Sequence, residues 1–328
     1  MRISMESFVL VCVSLMLRNY CLLICHDYRV SKAMSRNYMD SEFGVCSMSA
    51  KLRRVAIRQP SAILSADIDE WHYAKPLNQQ VLLQQFSSFV SLLETSGTEI
   101  LWLDDEDDGL ADSIFTYDPS FMFPSGAVLL RPGKVKRLDE VDVHRRFYDR
   151  FGIPIIGVIE APGTIEGGDC FWLNETTLAV GKGFRTNDAG ISQLRNLVSD
   201  EGIEIMQFDL PYYKGPDACL HLMSVVSPLD RDLAIVYEPL LPSGLASTLI
   251  DFGFDLLKAP KNEFEESHGL SLNVLATAPR EVIAINGFPE THQLMSEAGC
   301  SLSLFDGDEL CIPCEGGPTC LTRPVLRS

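Results

Sequence analysis

One short β-rich run recurs five times along this chain, and no other feature narrows the possible folds as much. The copies are RRVAIRQPS from residue 53, GAVLLRPGK from 126, TTLAVGKGF from 176, RDLAIVYEP from 231 and REVIAINGF from 280. Each is a run of Val, Ile, Leu and Ala closed by Gly, Pro or Asn, which is the pattern of a strand running into a turn. Successive copies lie 73, 50, 55 and 49 residues apart. Helical patterns stand between them, at 77–97, 139–152, 191–202 and 289–300. The first, third and fourth of these lead into a second strand-like run ending in Asp: TEILWLD, IEIMQFD and CSLSLFD. A unit of strand, helix, Gly and strand repeated at about 50 residues predicts a ring or array of similar α/β units. An ordinary mixed α/β domain is the alternative.

Charge limits the partners. The 328 residues carry 27 Lys and Arg against 45 Asp and Glu, for a net charge of −18. Residues 1–54 are basic by four charges, so the remaining chain stands at −22. So acidic a body argues against nucleic acid or an anionic membrane as partner, and suits a small cationic ligand or simple solubility. The ten cysteines include a Cys311–Cys314 CxxC, but no second CxxC or paired His follows, so neither a zinc site nor a metal elsewhere is expected. A reduced, cytoplasmic body is the simplest reading. FVLVCVSLMLRNYCLLIC (8–25) is apolar but broken by Arg18 and Asn19, and only Arg2 precedes it. Residues 1–50 therefore read as a leader or disordered extension outside a domain at 51–328. Organelle targeting or secretion is the next reading, and stable membrane anchoring is not expected.

Four loops gather reactive side chains. DDEDDGLADSIFTYDPS (104–120) holds Asp112 and Asp118 around Phe115. APGTIEGGDCFWL (161–173) sets Glu166 and Asp169 on either side of a Gly-Gly pair, where backbone can approach a ligand closely. CLHLMS (219–224) holds His221 in an otherwise apolar run, and EGGPTCLTRP (315–324) holds Cys320. Each has a bland explanation in a solvated loop, a turn, a core histidine or an inert thiol. Together they supply what a cysteine nucleophile needs, namely an acid–base group and a carboxylate to orient it. A ring of units would bring the loops to one mouth, where carboxylates suit the two-pronged pairing of a guanidinium.

TIEGGD, VGKGFRTN, LHLMS and GGPTCLTRP, in that order, resemble the guanidino-group-modifying superfamily of arginine deiminases, amidinotransferases and dimethylarginine dimethylaminohydrolases. The resemblance runs from about residue 53 to the end of the chain. It implies a five-bladed, pseudo-symmetric α/β propeller of ββαβ units around a central site. It also implies Cys320 as nucleophile, His221 as general acid and base, and Glu166 as the carboxylate that orients the site. Asp112, Phe115 and Asp118 fall in the family's substrate-binding D-x-x-F-x-x-D loop. Arg131 and Arg185 match positions that bind the substrate carboxylate or support the site, and Asp169 reads as a brace of the Gly-Gly turn. The resemblance implies a small cationic guanidino substrate and no metal or organic cofactor.

Within that superfamily, deiminases carry a carboxylate two residues after the histidine. Here Met223 stands there, and a thioether suits methyl groups better than N–H donors. This departure favours the dimethylarginine hydrolases. Tyr117 stands beside Asp118 where some of those enzymes have an acid, so arginine deiminase remains an alternative. An amidinotransferase would share the covalent intermediate. A non-catalytic binding protein on the same propeller is the reading from another class, since fold alone does not give activity. A papain-like peptidase would need its Cys before its His, the reverse of the order here.

Overall fold

The computed structural model describes residues 41–105, 109–215 and 220–328. Residues 8–25 and most of the expected leader lie outside the described residues. Phe43–Ser328 form one compact unit. Its boundary precedes residue 51: Gly44 donates its N–H to the Val325 carbonyl at 2.7 Å, and Val45 is buried. Among the described residues no helix is long and apolar enough to cross a membrane.

Five three-stranded sheets make the fold, and they are built alike. The first joins β1 (Leu52–Ile57), β2 (Glu99–Trp102) and the final strand β15 (Arg323–Arg327). The second holds β3 (Ser120–Phe123), β4 (Gly126–Leu129) and β5 (Ile155–Val158), and the third β6 (Cys170–Asn174), β7 (Thr177–Lys182) and β8 (Glu204–Asp209). The fourth holds β9 (Val226–Asp230), β10 (Leu233–Val236) and β11 (Asp255–Lys258), and the fifth β12 (Leu275–Ala278), β13 (Glu281–Ile285) and β14 (Ser301–Phe305). In each sheet the middle strand pairs antiparallel on one side and parallel on the other. The five recurring runs of the sequence are these middle strands. A parallel pair needs a crossover, and five helices supply it: α1 (Gln79–Thr95), α2 (Glu140–Phe151), α3 (Asp188–Leu197), α4 (Ser243–Asp251) and α5 (Pro289–Glu297). This is the five-bladed α/β propeller of ββαβ units. The first blade is completed by β15, so the last segment of the chain closes against the first.

Local chemistry explains the repeat. Along α1, Leu82, Gln85, Phe86, Phe89 and Leu93 fall on one buried face, and the Asn78 side chain caps its start by accepting from the Val81 N–H. After each of the five helices a glycine turns the chain with positive φ: Gly97, Gly152, Gly202, Gly253 and Gly299. A left-handed residue there closes the helical segment, which after α3 includes the 3₁₀ turn Ser199–Glu201, and sends the chain into the parallel strand. The α3 helix starts earlier than the apolar pattern indicates, because the Asn187 side chain accepts from the Gly190 N–H at 2.8 Å and caps it there. Burial is divided among the seams where blades meet. For example, Leu229, Leu233 and Ile235 of the fourth blade pack with Val282 and Ala284 of the fifth.

Candidate active site

Each blade presents its reactive residues at one equivalent place, just ahead of its antiparallel outer strand. Asp118 precedes β3, Glu166 and Asp169 precede β6, His221 precedes β9 and Cys320 precedes β15. The fifth blade contributes Asn273, just ahead of β12, which sequence reading did not single out.

Glu166 is fully buried and its carboxylate has three partners. His221 Nε2 lies 2.6 Å from Oε2, the Lys134 main-chain N–H donates to Oε1 at 3.1 Å, and the Arg185 guanidinium lies 3.3 and 3.4 Å from the two oxygens. Burial alone would raise this carboxyl, but the His221 hydrogen bond and the Arg185 charge outweigh it and hold it well below the usual range. Glu166 is thus a fixed anion that orients the His221 ring.

The glycines of the Gly-Gly-Asp turn are explained by close approach. A Cβ on Gly167 would fall 2.0 Å from the Tyr117 carbonyl oxygen, and one on Gly168 would fall 2.4 Å from His221 Nδ1. The turn therefore passes between the Asp118 loop and the imidazole. Gly168 also donates its N–H to Asp118 Oδ1 at 2.8 Å. Asp169 sits below, accepting the Leu222 N–H at 2.9 Å, so it braces the His221 turn of the neighbouring blade. Burial pushes its carboxyl up to about 6.

The Gly-Gly-Pro approach to Cys320 has the same cause. A Cβ on Gly316 would enter the Phe115 ring at 2.2 Å, and one on Gly317 would meet the Asn273 side-chain oxygen at 2.5 Å. Asn273 donates to the Cys320 sulfur at 3.1 Å and accepts the Thr319 N–H at 3.2 Å. The Cys320 carbonyl accepts the Tyr117 N–H at 3.2 Å, tying the Cys320 backbone to the 112–118 loop. Burial pushes the Cys320 thiol up to about 11, and the Asp118 charge adds to this. The Asn273 hydrogen bond, the Gly317 N–H and His221 act in the opposite direction.

Cys320 and His221 line one cavity of about 150 Å³ together with Asp112, Phe115, Asp118 and Arg185. Trp71, Tyr73, Lys134, Arg137 and Cys314 complete much of its wall. A second space of about 30 Å³ lies against the same Cys320 and His221, lined also by Tyr117, Met223 and Leu270. Arg131, expected among the substrate ligands, does not line the cavity. Its backbone pairs with Ile165, and Lys134 and Arg137 of the same loop are the cations that turn inward. Arg137 is buried and clamps the 112–118 loop, bonding both Glu140 oxygens, Asp118 Oδ2 at 2.5 Å and the carbonyls of Asp112 and Phe115. Burial opposes its charge, but Glu140 and Asp118 more than offset this and keep it protonated. Oxygen and nitrogen ligand atoms of Asp118, Glu166 and His221 lie within 4.8 Å of one another, close enough to hold a cation. Here their partners are the guanidinium groups of Arg137 and Arg185 and the Gly168 N–H.

Residues 107–255 match the arginine deiminase family. An N(G),N(G)-dimethylarginine dimethylaminohydrolase of Streptomyces coelicolor is 30% identical over 272 residues, which span 82% of this chain and 96% of the relative. The enzyme of that name from Pseudomonas aeruginosa is 24% identical, over 82% and 98% of the two chains. Among solved structures, a cysteine-to-serine mutant of the Pseudomonas aeruginosa enzyme in complex with citrulline superposes with a TM-score of 0.67 at 21% identity, covering 83% of this chain and 99% of that one. SxtG, an amidinotransferase from Microseira wollei, gives 0.72 at 16% identity, over 87% and 97%. The five-bladed fold, joined to 30% identity over 82% of the chain, makes the protein a member of the dimethylarginine dimethylaminohydrolase family, hydrolytic amidine-cleaving enzymes within the guanidino-group-modifying superfamily.

Proposed function

We propose that the protein hydrolyses an N-methylated arginine to citrulline and a methylamine, with Cys320 as nucleophile, His221 as acid and base, and Glu166 as the orienting carboxylate. The observation that carries this reading is the meeting of Cys320 and His221 on one cavity wall, with the imidazole locked on Glu166 at 2.6 Å. The substrate supplies the missing activation. A guanidinium entering beside Asp118 brings a positive charge to a thiol that burial holds neutral, and that charge favours the thiolate. The sulfur attacks the guanidinium carbon, the C–N bond to the methylated nitrogen breaks, and the amine leaves with a proton from His221. The resulting thiouronium is attacked by water, His221 takes the water's proton, and collapse returns the thiolate and releases citrulline. In this mechanism no metal or organic cofactor takes part.

Met223 supports the methylated substrate. It is 5% exposed and lines the smaller space beside Cys320 and His221, a mixed wall of Ser224, Asn273 and Thr319 in which Met223 and Leu270 offer apolar contact to N-methyl groups. Arginine deiminase is the second reading, favoured by the family match over residues 107–255. The test is citrulline release from arginine, mono- and dimethylarginine and agmatine. Dimethylarginine should lead, while a tenfold preference for arginine would leave the deiminase reading standing. The six free cysteines among the described residues support a reducing, cytoplasmic setting.

A further inference from the structure

We propose that the axis of the propeller holds a second site, separate from the Cys320 cavity: a buried pocket for one small halide ion, chloride, bound among Arg323, Arg327 and the Trp172 indole. The site stands whether or not the hydrolase reading does.

All five blades meet around this pocket. Its wall takes Phe121 from β3, Trp172 from β6, Pro228 from β9, Ala276 from β12, and Arg323 and Arg327 from β15. A space lined by one strand of every blade lies on the axis of the ring. Val45 and Met48, from the segment ahead of β1, also line it. Tyr117, Met223 and Thr319 form the partition, since they line both this pocket and the smaller space beside Cys320.

The pocket carries positive charge without a balancing anion on its wall. Arg323 is 1% exposed and Arg327 is 4% exposed. Arg323 donates to the carbonyls of Tyr117 at 3.0 Å and Ser120 at 2.7 Å, and its guanidinium lies over the Tyr117 ring, 4.1 Å from the centroid. Arg327 donates to the Ala50 carbonyl at 2.6 Å. These acceptors are all neutral. Among the described residues no carboxylate pairs with either arginine, and none stands on the pocket wall. Burial brings Arg327 down to about 10 and the Arg323 charge adds to this, so both remain cations at neutral pH and repel each other. An uncompensated buried charge is among the costliest features a fold can hold, and a bound anion removes it.

Donor chemistry and size select the ion. Trp172 Nε1 and Arg323 Nε are buried N–H groups with no acceptor among the described residues, and both side chains stand on the pocket wall. Each can only donate. A water there would accept from them but must also place its own two protons, whereas a halide accepts from every side and supplies the missing charge. At about 10 Å³ the pocket admits one water-sized species and excludes phosphate, sulfate and carboxylates. The ion would join β6 to β15, the strand that closes the ring, beside the segment that the Arg327 N–H already holds at the Gly44 carbonyl.

The test begins with the melting temperature of the full-length protein in sodium chloride and in sodium gluconate at one ionic strength, gluconate being too large to enter. Chloride should raise it by about 3–6 °C, because only the folded state binds the ion. Trp172→Phe keeps the ring and removes the N–H, and should cut that response to about half or less. Arg327→Met should abolish it. In wild-type crystals grown with bromide in place of chloride, an anomalous difference map should show one peak within hydrogen-bond reach of Trp172 Nε1 and Arg323 Nε. This arm decides the matter even if a variant fails to fold. A water without anomalous signal at that point would overturn the proposal. So would equal melting temperatures in the two salts, or a chloride response that survives intact in a folded Arg327→Met protein.

Discussion

Asn273 donates its side-chain N–H to the Cys320 sulfur at 3.1 Å, joining the fifth blade to the cysteine that precedes β15. A hydrogen bond to sulfur favours the thiolate, yet burial and Asp118 still push the thiol up to about 11. The free enzyme should therefore react with neutral iodoacetamide at a rate that rises about tenfold per pH unit through neutrality, as the thiolate fraction does. Asn273→Ala should slow that alkylation several-fold at pH 8, because the variant thiol ionises at still higher pH. A positively charged alkylating agent should escape most of the penalty, since it brings the charge the pocket lacks. A rate already flat by pH 8 in the wild type would contradict this account.

Gly168→Ala should damage catalysis while leaving the fold. Its Cβ would lie 2.4 Å from His221 Nδ1, and that ring cannot yield without breaking its 2.6 Å contact with Glu166. We expect kcat to fall by about a hundredfold with little change in KM, since misplacing an acid–base group acts on the transition state. Steady-state kinetics alongside a thermal melt separate this from unfolding. A normal kcat would mean that the ring moves freely.

Asp169→Asn should change how stability depends on pH. Burial raises the Asp169 carboxyl from its ordinary 3.8 to about 6, so the folded state prefers the protonated form. Its contribution is fully present below pH 3.8 and is lost as pH rises through about 6. Asparagine cannot ionise. Relative to the variant, the wild type should therefore lose about 3 kcal/mol between pH 3.5 and pH 7.5. Urea unfolding at the two pH values gives the number, and an equal difference at both would show that Asp169 does not titrate there.

Met223 should set the preference between methylated and plain arginine. An unmethylated guanidinium N–H facing this thioether would lack a good acceptor, at a cost of about ten- to a hundredfold in kcat/KM. Met223→Leu should keep the preference for dimethylarginine, and Met223→Asp should narrow or reverse it. The aspartate variant places a carboxylate at a position that is 5% exposed, so its melting temperature must be read alongside the kinetics. Equal ratios in wild type and Met223→Asp would remove Met223 from specificity.

Cys311 and Cys314 are sharply different thiols despite their shared CxxC. Cys311 is fully buried in the apolar cluster between the first and fifth blades, whereas Cys314 lines the substrate cavity. Cys311→Ser should cost about 1–3 kcal/mol of stability with kcat nearly intact, because a hydroxyl replaces a buried sulfur. Cys320→Ser should remove activity by several orders of magnitude without that loss of stability. Mass spectrometry after alkylation should show Cys320 as the site whose modification tracks inactivation, and tracking with Cys311 instead would refute the assignment of the nucleophile.

Local pattern alone determined the repeat. Alternating apolar residues specify a strand and a 3.6-residue period a helix, and both are properties of neighbours in the chain. The five middle strands and four of their helices were therefore legible. The fifth, Ser243–Asp251, was not, because four of the nine residues of SGLASTLID are Ser, Gly or Thr, weak helix formers that read as a loop. Glu166 and Cys320 were legible through their glycine-framed motifs and His221 as the one histidine of the apolar run CLHLMS, and those glycines prove to be points where loops nearly touch. What only the tertiary structure decided is which side chains meet. In RPGKVKR four cations stand within seven residues, and nothing local indicates that Arg137 turns in to Glu140 and Asp118 while Arg131 stays outside the cavity. Asn273 has no local signature in GLSLNVLATA and acquires a role only because its blade sets it against a sulfur 47 residues away. Periodicity records burial along one element, whereas a site at the centre of a propeller is assembled from loops that approach one another only after all five blades have packed.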